Sequence, residues 1–264
     1  MNNVNKILVV GKNSFIGQNF SNQSSNIDVI SHKEISTTDF SSYGTVFNCS
    51  ISPDFRTKKY EEQNNIEFIV AKKSHENACH FVMLSTRKVY GQSDDLITYT
   101  ETSEIKPIDN YAENKYITED KIRNNFDNYT ILRASNVFGN EHGRNSFLGF
   151  CLTQLKKNDK IVFELSEQIK RDFILVDEVS RVLKIICDSK KTGTYNLSSN
   201  YGLKIGNVAR NLIDGYSSGS FEYGDKITDQ FILDNNKLQS EFHIEIKKNY
   251  TNELKMIGEN LCKI

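Results

Sequence analysis

The first apolar run of the chain leads directly into a glycine turn, and this junction restricts the possible folds more than any other segment. Ile7–Val10 precede a Gly-x-x-Ser-x-x-Gly motif. Such a run predicts a buried strand, and the residues after the turn predict a helix whose N-terminus attracts an anion. The sequence therefore predicts a strand, turn and helix that hold a pyrophosphate, on a surface formed by Gly11, Ser14, Phe15, Ile16 and Gly17.

Further short apolar runs indicate that this unit belongs to a parallel sheet. They occur at 29–30, 46–47, 81–84 and 130–132, and most of the spacings between them suit crossover helices. We expect an α/β fold, a Rossmann-type doubly wound parallel sheet with a small C-terminal substrate-binding cap. Residues 1–140 should form mainly the dinucleotide-binding domain and residues 141–264 mainly the cap, with segments of 161–200 returning in part to the first domain.

The composition disfavours several kinds of partner. The chain has 33 basic and 34 acidic residues, so its overall charge favours neither a nucleic acid nor an anionic membrane. Its cysteines and histidines show no metal-ligand spacing, and scattered cysteines are typical of reduced thiols in a cytosol. The apolar run after the polar residues 1–6 is too short for a signal peptide or a membrane span. We expect a cytoplasmic protein that binds a small polar ligand and no metal.

The end of the second apolar run bears on which dinucleotide binds. An acidic residue there favours the free 2′-hydroxyl of NAD, whereas a basic residue favours the 2′-phosphate of NADP. We place Ser31, His32 and Lys33 at this position, and the basic pair favours NADPH. Because Glu34 follows at once, NAD is the alternative cofactor, and a solvated loop without a ribose contact is an equally open interpretation.

Three residues in the middle of the chain suggest proton transfer. Tyr111 and Lys115 lie four residues apart, which places them on one face of a helix. A nearby ammonium favours the phenolate and makes a tyrosine a usable proton donor and acceptor. With 12 tyrosines in the chain the spacing alone proves little. Thr86, just past the fourth apolar run, adds a hydroxyl that can bind the same substrate oxygen, and the three residues together predict a catalytic site.

With these motifs in order, the chain resembles the extended short-chain dehydrogenase/reductase family, whose nucleotide-sugar members include epimerases, 4,6-dehydratases and 4-keto reductases. The resemblance runs along nearly the whole chain. It rests on Gly11-x-x-Ser14-x-x-Gly17, Ser85-Thr86-x-x-Val89-Tyr90-Gly91, Tyr111-x-x-x-Lys115, Leu132-Arg133-x-x-Asn136-Val137-Phe138-Gly139 and Arg171-Asp172-Phe173-x-x-Val176.

The resemblance implies roles for the catalytic and cofactor-binding residues. Thr86, Tyr111 and Lys115 would form the catalytic triad, with Tyr111 and Lys115 also against the cofactor and Lys115 on its nicotinamide ribose. Asn65 would bind the cofactor from the start of a helix. The resemblance also implies a homodimer, formed by the helix that carries the Tyr-Lys pair and the helix before it.

The resemblance implies a nucleotide-diphosphate sugar as the substrate. Thr86 would contact the sugar, and Asn136 and Arg171 would contact the phosphates. An arginine suits a diphosphate because its guanidinium forms charge-assisted, bidentate hydrogen bonds. The open alternative for Arg171 is an ion pair with Asp172 or a neighbour.

Two features bear on the reaction. The 4,6-dehydratases carry an Asp-Glu pair directly after the catalytic threonine, whereas this chain has Arg87 and Lys88, so the acid and base of an elimination are lacking there. Only 31 residues separate Gly139 from Arg171, and this compactness resembles the 4-keto reductases. We predict NAD(P)H-dependent reduction of a keto group on a nucleotide-linked sugar, a 4-keto-6-deoxy hexose, in the synthesis of cell-surface polysaccharide sugars.

Two alternatives to this reductase stay open. The segments Val89-Tyr90-Gly91 and Arg171-Asp172-Phe173 have the form found in epimerases. An NAD-dependent nucleotide-sugar epimerase, with the same catalytic residues, is therefore the main alternative. A dinucleotide-sensing regulator without catalysis is the other, although loss of the tyrosine or lysine would be its mark and this chain keeps both.

Overall fold

The computed structural model describes residues 6–263, so the leading polar residues 1–5 lie outside the described part of the chain. The described strands are β1 (Ile7–Val10), β2 (Ile27–Ile30), β3 (Thr45–Asn48), β4 (His80–Thr86), β5 (Ile97–Tyr99), β6 (Tyr129–Ala134), β7 (Asn136–Phe138), β8 (Lys160–Leu165), β9 (Lys170–Leu175), β10 (Gly193–Leu197), β11 (Gly202–Lys204), β12 (Ser220–Lys226) and β13 (Phe231–Leu233). The described α-helices are α1 (Phe15–Ser21), α2 (Asp54–Thr57), α3 (Ile66–Glu76), α4 (Asn110–Asn125), α5 (Phe147–Asn158), α6 (Val176–Ser189), α7 (Ile205–Tyr216), α8 (Asn236–Phe242) and α9 (Thr251–Leu261).

The main sheet has six parallel strands in the order β10-β6-β4-β3-β1-β2. The strand order reverses at β1, which has β2 on one side and β3 on the other. In sheets of this kind, ligands bind outside the carboxyl ends of the strands at such a reversal. The predicted Rossmann-type sheet is therefore confirmed, and its binding edge is the one that holds the glycine turn.

Both faces of this sheet are covered, as the side chains of β1 show. Ile7 and Val9 pack in one apolar core with Phe20 of α1, and Leu8 and Val10 pack in another core with helix α3. Successive residues of a strand point to opposite faces, so a strand covered on both sides reads as a continuous apolar run. The doubly wound arrangement follows directly from this pattern.

A third apolar core lies in the C-terminal half of the chain. It combines helices α5, α7 and α9 with strands β8 and β9. Strand β9 belongs to a second sheet, ordered β11-β9-β13-β5, and also pairs with β7. Strand β10 pairs with β6 of the main sheet, and α6 contributes to the core under that sheet. The division of the chain at residue 140 stays a prediction. In the described range, no helix is both long and apolar enough to cross a bilayer.

Candidate active site

The glycine turn after β1 packs closely on the residue that follows β3. Gly11 has a φ of 138°, and a Cβ atom there would lie 2.7 Å from Sγ of Cys49. A Cβ atom at Gly17 would lie 2.8 Å from the same sulfur. The Oγ of Ser14 caps α1 by accepting a hydrogen bond from the Gly17 amide at 3.3 Å. Both glycines are therefore needed to bring the turn against the carboxyl end of β3.

A groove of about 600 Å³ runs past this turn, outside the carboxyl ends of β1, β2 and β3. The Glu34 carboxylate accepts a hydrogen bond from the Ser31 amide at 2.8 Å and is not among the described residues that line the groove. The β2 end of the groove is therefore basic. Of the residues predicted to bind a cofactor, those that line the groove are Gly11, Ser14, Phe15, His32 and Lys33.

A neighbouring cleft of about 450 Å³ opens at the carboxyl ends of β4 and β6. It brings together Thr86, Tyr111 and Asn136, which are predicted site residues from three separate segments, and Ile16 lines it too. The strand register explains why Thr86 and Asn136 lie close together. Thr86 of β4 pairs with Ala134 of β6, and Asn136 follows Ala134 by two residues. The predicted hydroxyl pair and Asn136 thus share one cavity.

Two local caps orient Thr86 and Tyr111 toward this cleft. Thr86 ends β4, and its Oγ1 accepts a hydrogen bond from the Lys88 amide at 3.3 Å, at the start of a 3₁₀ turn. Tyr111 lies in the first turn of α4, where the capping Asp109 accepts a hydrogen bond from the Ala112 amide at 2.8 Å. The Lys88 ammonium lies 2.8 Å from the Asp109 carboxylate, so the two caps are tied together.

Lys115 lies on the same helix, beneath Tyr111. Its Nζ atom is 5.8 Å from the ring centroid of Tyr111, donates to the Leu84 carbonyl at 2.8 Å and lies 2.5 Å from Oε1 of Glu67. Burial alone would lower the pKa of Lys115, but the adjacent Glu67 carboxylate outweighs it and raises that pKa. The lysine is therefore held as an ammonium. No sequence motif marks Glu67.

Asn65, predicted to bind the cofactor, is fully buried and does not line the groove within the described residues. Its side chain caps α3 by accepting a hydrogen bond from the Phe68 amide at 3.0 Å. Its amide group donates to Thr118 at 2.8 Å and to Tyr60 at 3.1 Å. Asn65 thus fixes α3 against α4, and its contact with a cofactor stays a prediction.

Arg171, predicted to bind phosphate, is not among the described residues that line the cleft. Its Nε donates to the Asp229 carbonyl at 3.0 Å, and its Nη2 lies 3.4 Å from the Asp229 carboxylate. The same carboxylate receives both Nη atoms of Arg87, each at 2.6 Å. Arg171 thus forms the ion pair that was the alternative, with Asp229 and not with Asp172, and its phosphate contact stays a prediction.

Two other arginines lie where the cleft meets the groove. Arg56 and Arg144 line both the cleft and the groove, so the two cavities adjoin. The Arg144 guanidinium lies 4.5 Å from the ring centroid of Phe15, and the Arg56 guanidinium lies 5.7 Å from that of Tyr111. Neither arginine belongs to a recognised motif, so no sequence pattern marks them.

The fold and this site define an extended short-chain dehydrogenase/reductase of the nucleotide-sugar group. Residues 57–198 match the family described as the NAD dependent epimerase/dehydratase family, and the chain belongs to it. The match covers the segments that hold Thr86, Tyr111 and Lys115 and ends just past β10.

Two curated relatives are similar over part of their length. The chain is 28% identical over 185 residues to an ADP-L-glycero-D-manno-heptose-6-epimerase from Brachyspira hyodysenteriae, covering 62% of this chain and 56% of that protein. It is 28% identical over 138 residues to a human dTDP-D-glucose 4,6-dehydratase, covering 50% of this chain and 39% of that protein. The chain thus spans about half the length, or less, of these relatives.

Solved structures show the same fold over almost the whole chain. A UDP-N-acetylglucosamine 4-epimerase from Methanobrevibacter ruminantium superposes with a TM-score of 0.80 at 18% identity, covering 98% of both chains. A UDP-glucuronic acid 4-epimerase from Bacillus cereus superposes with a TM-score of 0.78 at 16% identity, covering 98% of this chain and 99% of that one.

Proposed function

We propose that this protein is a nucleotide-sugar epimerase that uses NAD. The observation that carries the proposal is the continuity of the two cavities. The cleft that holds Thr86 and Tyr111 continues past Arg56 and Arg144 into the groove at the glycine turn. A dinucleotide along the groove and a nucleotide sugar in the cleft would meet beside the two hydroxyls.

Similar proteins support an epimerase over the predicted reductase. One curated relative is named as a heptose 6-epimerase, and similar solved structures are named as 4-epimerases of UDP-sugars. The arginine and lysine that follow Thr86 leave the cleft without the carboxylate pair of a dehydratase. Oxidation and re-reduction at one sugar carbon, with exchange of its configuration, would use the same residues as a reductase, and the epimerases among the similar proteins favour it.

The groove fits a dinucleotide because Gly11, Ser14 and Phe15 of the turn line it, at the carboxyl end of β1. Gly11, Ser14 and Phe15 would hold the pyrophosphate, and His32 and Lys33 would face the adenosine ribose. Similar solved structures contain NAD, which supports NAD and gives no support to the NADPH preference drawn from the basic pair. When bound, the nicotinamide ring supplies the acceptor and donor of a hydride.

The chain's own residues would move the proton. Tyr111 accepts the proton of the sugar hydroxyl during oxidation and returns it during reduction. Thr86 donates a hydrogen bond to the same oxygen and keeps it in line with Tyr111. The Lys115 ammonium stabilises the phenolate form from beneath the ring.

Three side chains would hold the substrate's diphosphate. Asn136 offers an amide, and Arg56 and Arg144 offer guanidinium groups at the junction of the two cavities. Guanidinium groups bind phosphate oxygens through charge-assisted hydrogen bonds. This assignment replaces the predicted Arg171 contact.

Ketoreduction of a 4-keto-6-deoxy sugar is the second candidate, and one observation favours it. The segment between Gly139 and Arg171 holds only α5 and β8 as regular elements, which leaves little chain for a large grip on the sugar. The basic β2 end of the groove suits the NADPH that such a reductase would draw on.

Cofactor content and product analysis test the proposal together. Purified protein is denatured, released nicotinamide is identified by chromatography, and UDP-, ADP- and dTDP-linked sugars are supplied without added cofactor. We expect the native protein to contain bound NAD and to convert a nucleotide sugar to its epimer. The conversion should be absent in Tyr111→Phe and kept in Tyr116→Phe, a change on the same helix. If the protein oxidises added NADPH in the presence of 4-keto sugars and forms no epimer, it is the reductase. If it shows neither activity, both candidate functions are overturned.

A further inference from the structure

A buried ion pair supports the candidate catalytic helix from behind. The Lys115 and Glu67 side chains are 3% and 1% exposed, and they come from helices α4 and α3. The Nζ–Oε1 distance is 2.5 Å, and the Leu84 carbonyl takes a second hydrogen bond from Nζ at 2.8 Å. The pair therefore fixes the ammonium between two helices and the end of β4.

Charge balance makes Glu67 more than a packing residue. An ammonium taken out of water reverts to the neutral amine unless a counter-charge compensates the loss of hydration. Within residues 6–263, Lys115 is the cation that pairs with Glu67, and the neutral Asn48 side chain also hydrogen-bonds to the Glu67 carboxylate. Each member of the pair thus depends on the other for its charge.

The other titratable groups near Lys115 cannot replace Glu67. These groups are Tyr111 and Glu119 on the same helix and Cys49 after β3. Glu119 lies 2.7 Å from the Arg133 guanidinium, which already balances its charge. Burial raises the pKa of Cys49 to about 11, so its thiol is neutral. The Tyr111 ring centroid is 5.8 Å from Nζ, so Glu67, at 2.5 Å, is the carboxylate in direct contact with Lys115 and the largest contribution that raises its pKa.

We propose that Glu67 is a positioning residue of the catalytic site, which keeps Lys115 protonated and fixed 5.8 Å from the Tyr111 ring centroid. The functional unit is then Tyr111, Lys115 and Glu67. This inference rests on the proposed function, because it gives Glu67 a catalytic consequence only where Tyr111 and Lys115 move the proton. The direction of the change in the Lys115 pKa follows from burial. With Glu67 neutralised, burial lowers that pKa, and the ammonium is lost at a lower pH.

Titration of the lysine tests the inference without turnover. Protein labelled with ¹⁵N-lysine is followed by NMR from neutral to alkaline pH, and the Lys115 signal is identified by its loss in Lys115→Met. In Glu67→Gln, Lys115 should lose its proton at a pH about one unit or more below the pH at which it does so in the native protein. Glu76 is exposed at the end of α3, the helix that holds Glu67, and Glu76→Gln should leave the titration of Lys115 unchanged.

The alkaline side of the activity profile is the second readout. Glu67→Gln should lose activity at a lower pH than the native enzyme, whereas Glu67→Asp, which restores the charge on a shorter side chain, should fall between them. If Glu67→Gln does not fold, Glu67→Asp alone still shows a lowered Lys115 titration. An unchanged Lys115 titration in the folded variants would overturn the inference, whatever the activity. A lowered titration in a protein that converts no nucleotide sugar would support the ion-pair assignment and refute the proposed function.

Discussion

Nη1 of Arg144 lies 2.6 Å from Oε2 of Glu141, and this pair sits where the cleft meets the groove. The Glu141 side chain is 1% exposed, whereas that of Arg144 is 39% exposed. The buried carboxylate thus anchors one edge of the guanidinium and leaves other N–H groups accessible. An arginine fixed in this way can receive a phosphate without losing side-chain freedom again on binding.

Replacement of Arg144 should therefore weaken substrate binding more than it slows the chemical step. Arg144→Ala is expected to raise the KM for the nucleotide sugar about tenfold to hundredfold, because a hydrogen bond to a charged group contributes about 1.5–3 kcal/mol. Arg144→Lys keeps the positive charge but loses the bidentate hydrogen bonding of a guanidinium, and it should give an intermediate KM. Adding Glu141→Gln to Arg144→Ala removes the orphaned carboxylate and should leave the raised KM in place. A KM equal to that of the native enzyme would exclude Arg144 from the binding site.

The hydroxyl of Thr86 should matter to the chemistry and little to folding. Thr86→Val keeps the shape of the side chain but loses the donor that orients the reacting oxygen. We expect kcat to fall about a hundredfold, which is the usual range for a missing donor at a developing charge. Thr86→Ser retains the hydroxyl and should retain most of the activity. Equal losses in both variants would point to a steric effect and contradict the role proposed for the hydroxyl.

The turn residues should control retention of the cofactor through Cys49. In Gly17→Ala the new Cβ would lie 2.8 Å from Sγ of Cys49 and 2.9 Å from the Gly11 carbonyl, so the turn must move. Less cofactor should remain bound after purification. Adding Cys49→Ala removes the first of the two contacts and should restore part of the cofactor content, while Cys49→Ala alone should change little. Full cofactor content in Gly17→Ala would show that the turn does not set the binding geometry.

The candidate-site residues that the sequence indicates and that the structure places together depend on short-range spacing. Tyr111 and Lys115 share a helix face, and Gly11 and Gly17 share one turn, so a local pattern is enough to place them. Thr86 followed from its position at the end of an apolar run. The sheet was predictable for the same reason, since strands buried on both faces are continuous apolar runs.

The parts that it missed depend on contacts between distant segments. Glu67 pairs with a lysine 48 positions later, and in the sequence it resembles any other glutamate of a helix. The motif of Arg171 does not indicate its contact with Asp229, 58 positions later. Arg56 and Arg144 reach the cleft from a short helix and a loop. The packing of the helices and strands decides such contacts, and no periodicity in the sequence predicts them. The homodimer stays a prediction.

A buried histidine should make the stability of the protein depend on pH. His80, at the start of β4, is 4% exposed, and its Nε2 lies 2.8 Å from Oγ1 of Thr130. The Thr130 hydroxyl donates to the Lys191 carbonyl at 2.7 Å, so the ring nitrogen must be the donor in the first bond. Burial lowers the pKa of His80 from 6.5 to about 4.

The lowered pKa fixes the sign of the effect. The unfolded chain takes up a proton on this histidine as the pH falls through 6.5, whereas the folded chain does so only near 4. The stabilising contribution is therefore complete above pH 6.5 and is lost as the pH falls toward 4, by about 3 kcal/mol in all. Urea unfolding at several pH values should show this loss in the native protein and in His75→Gln, an exposed change on α3, and a smaller loss in His80→Gln. Equal losses in all three proteins would mean that the buried ring is not the group that titrates.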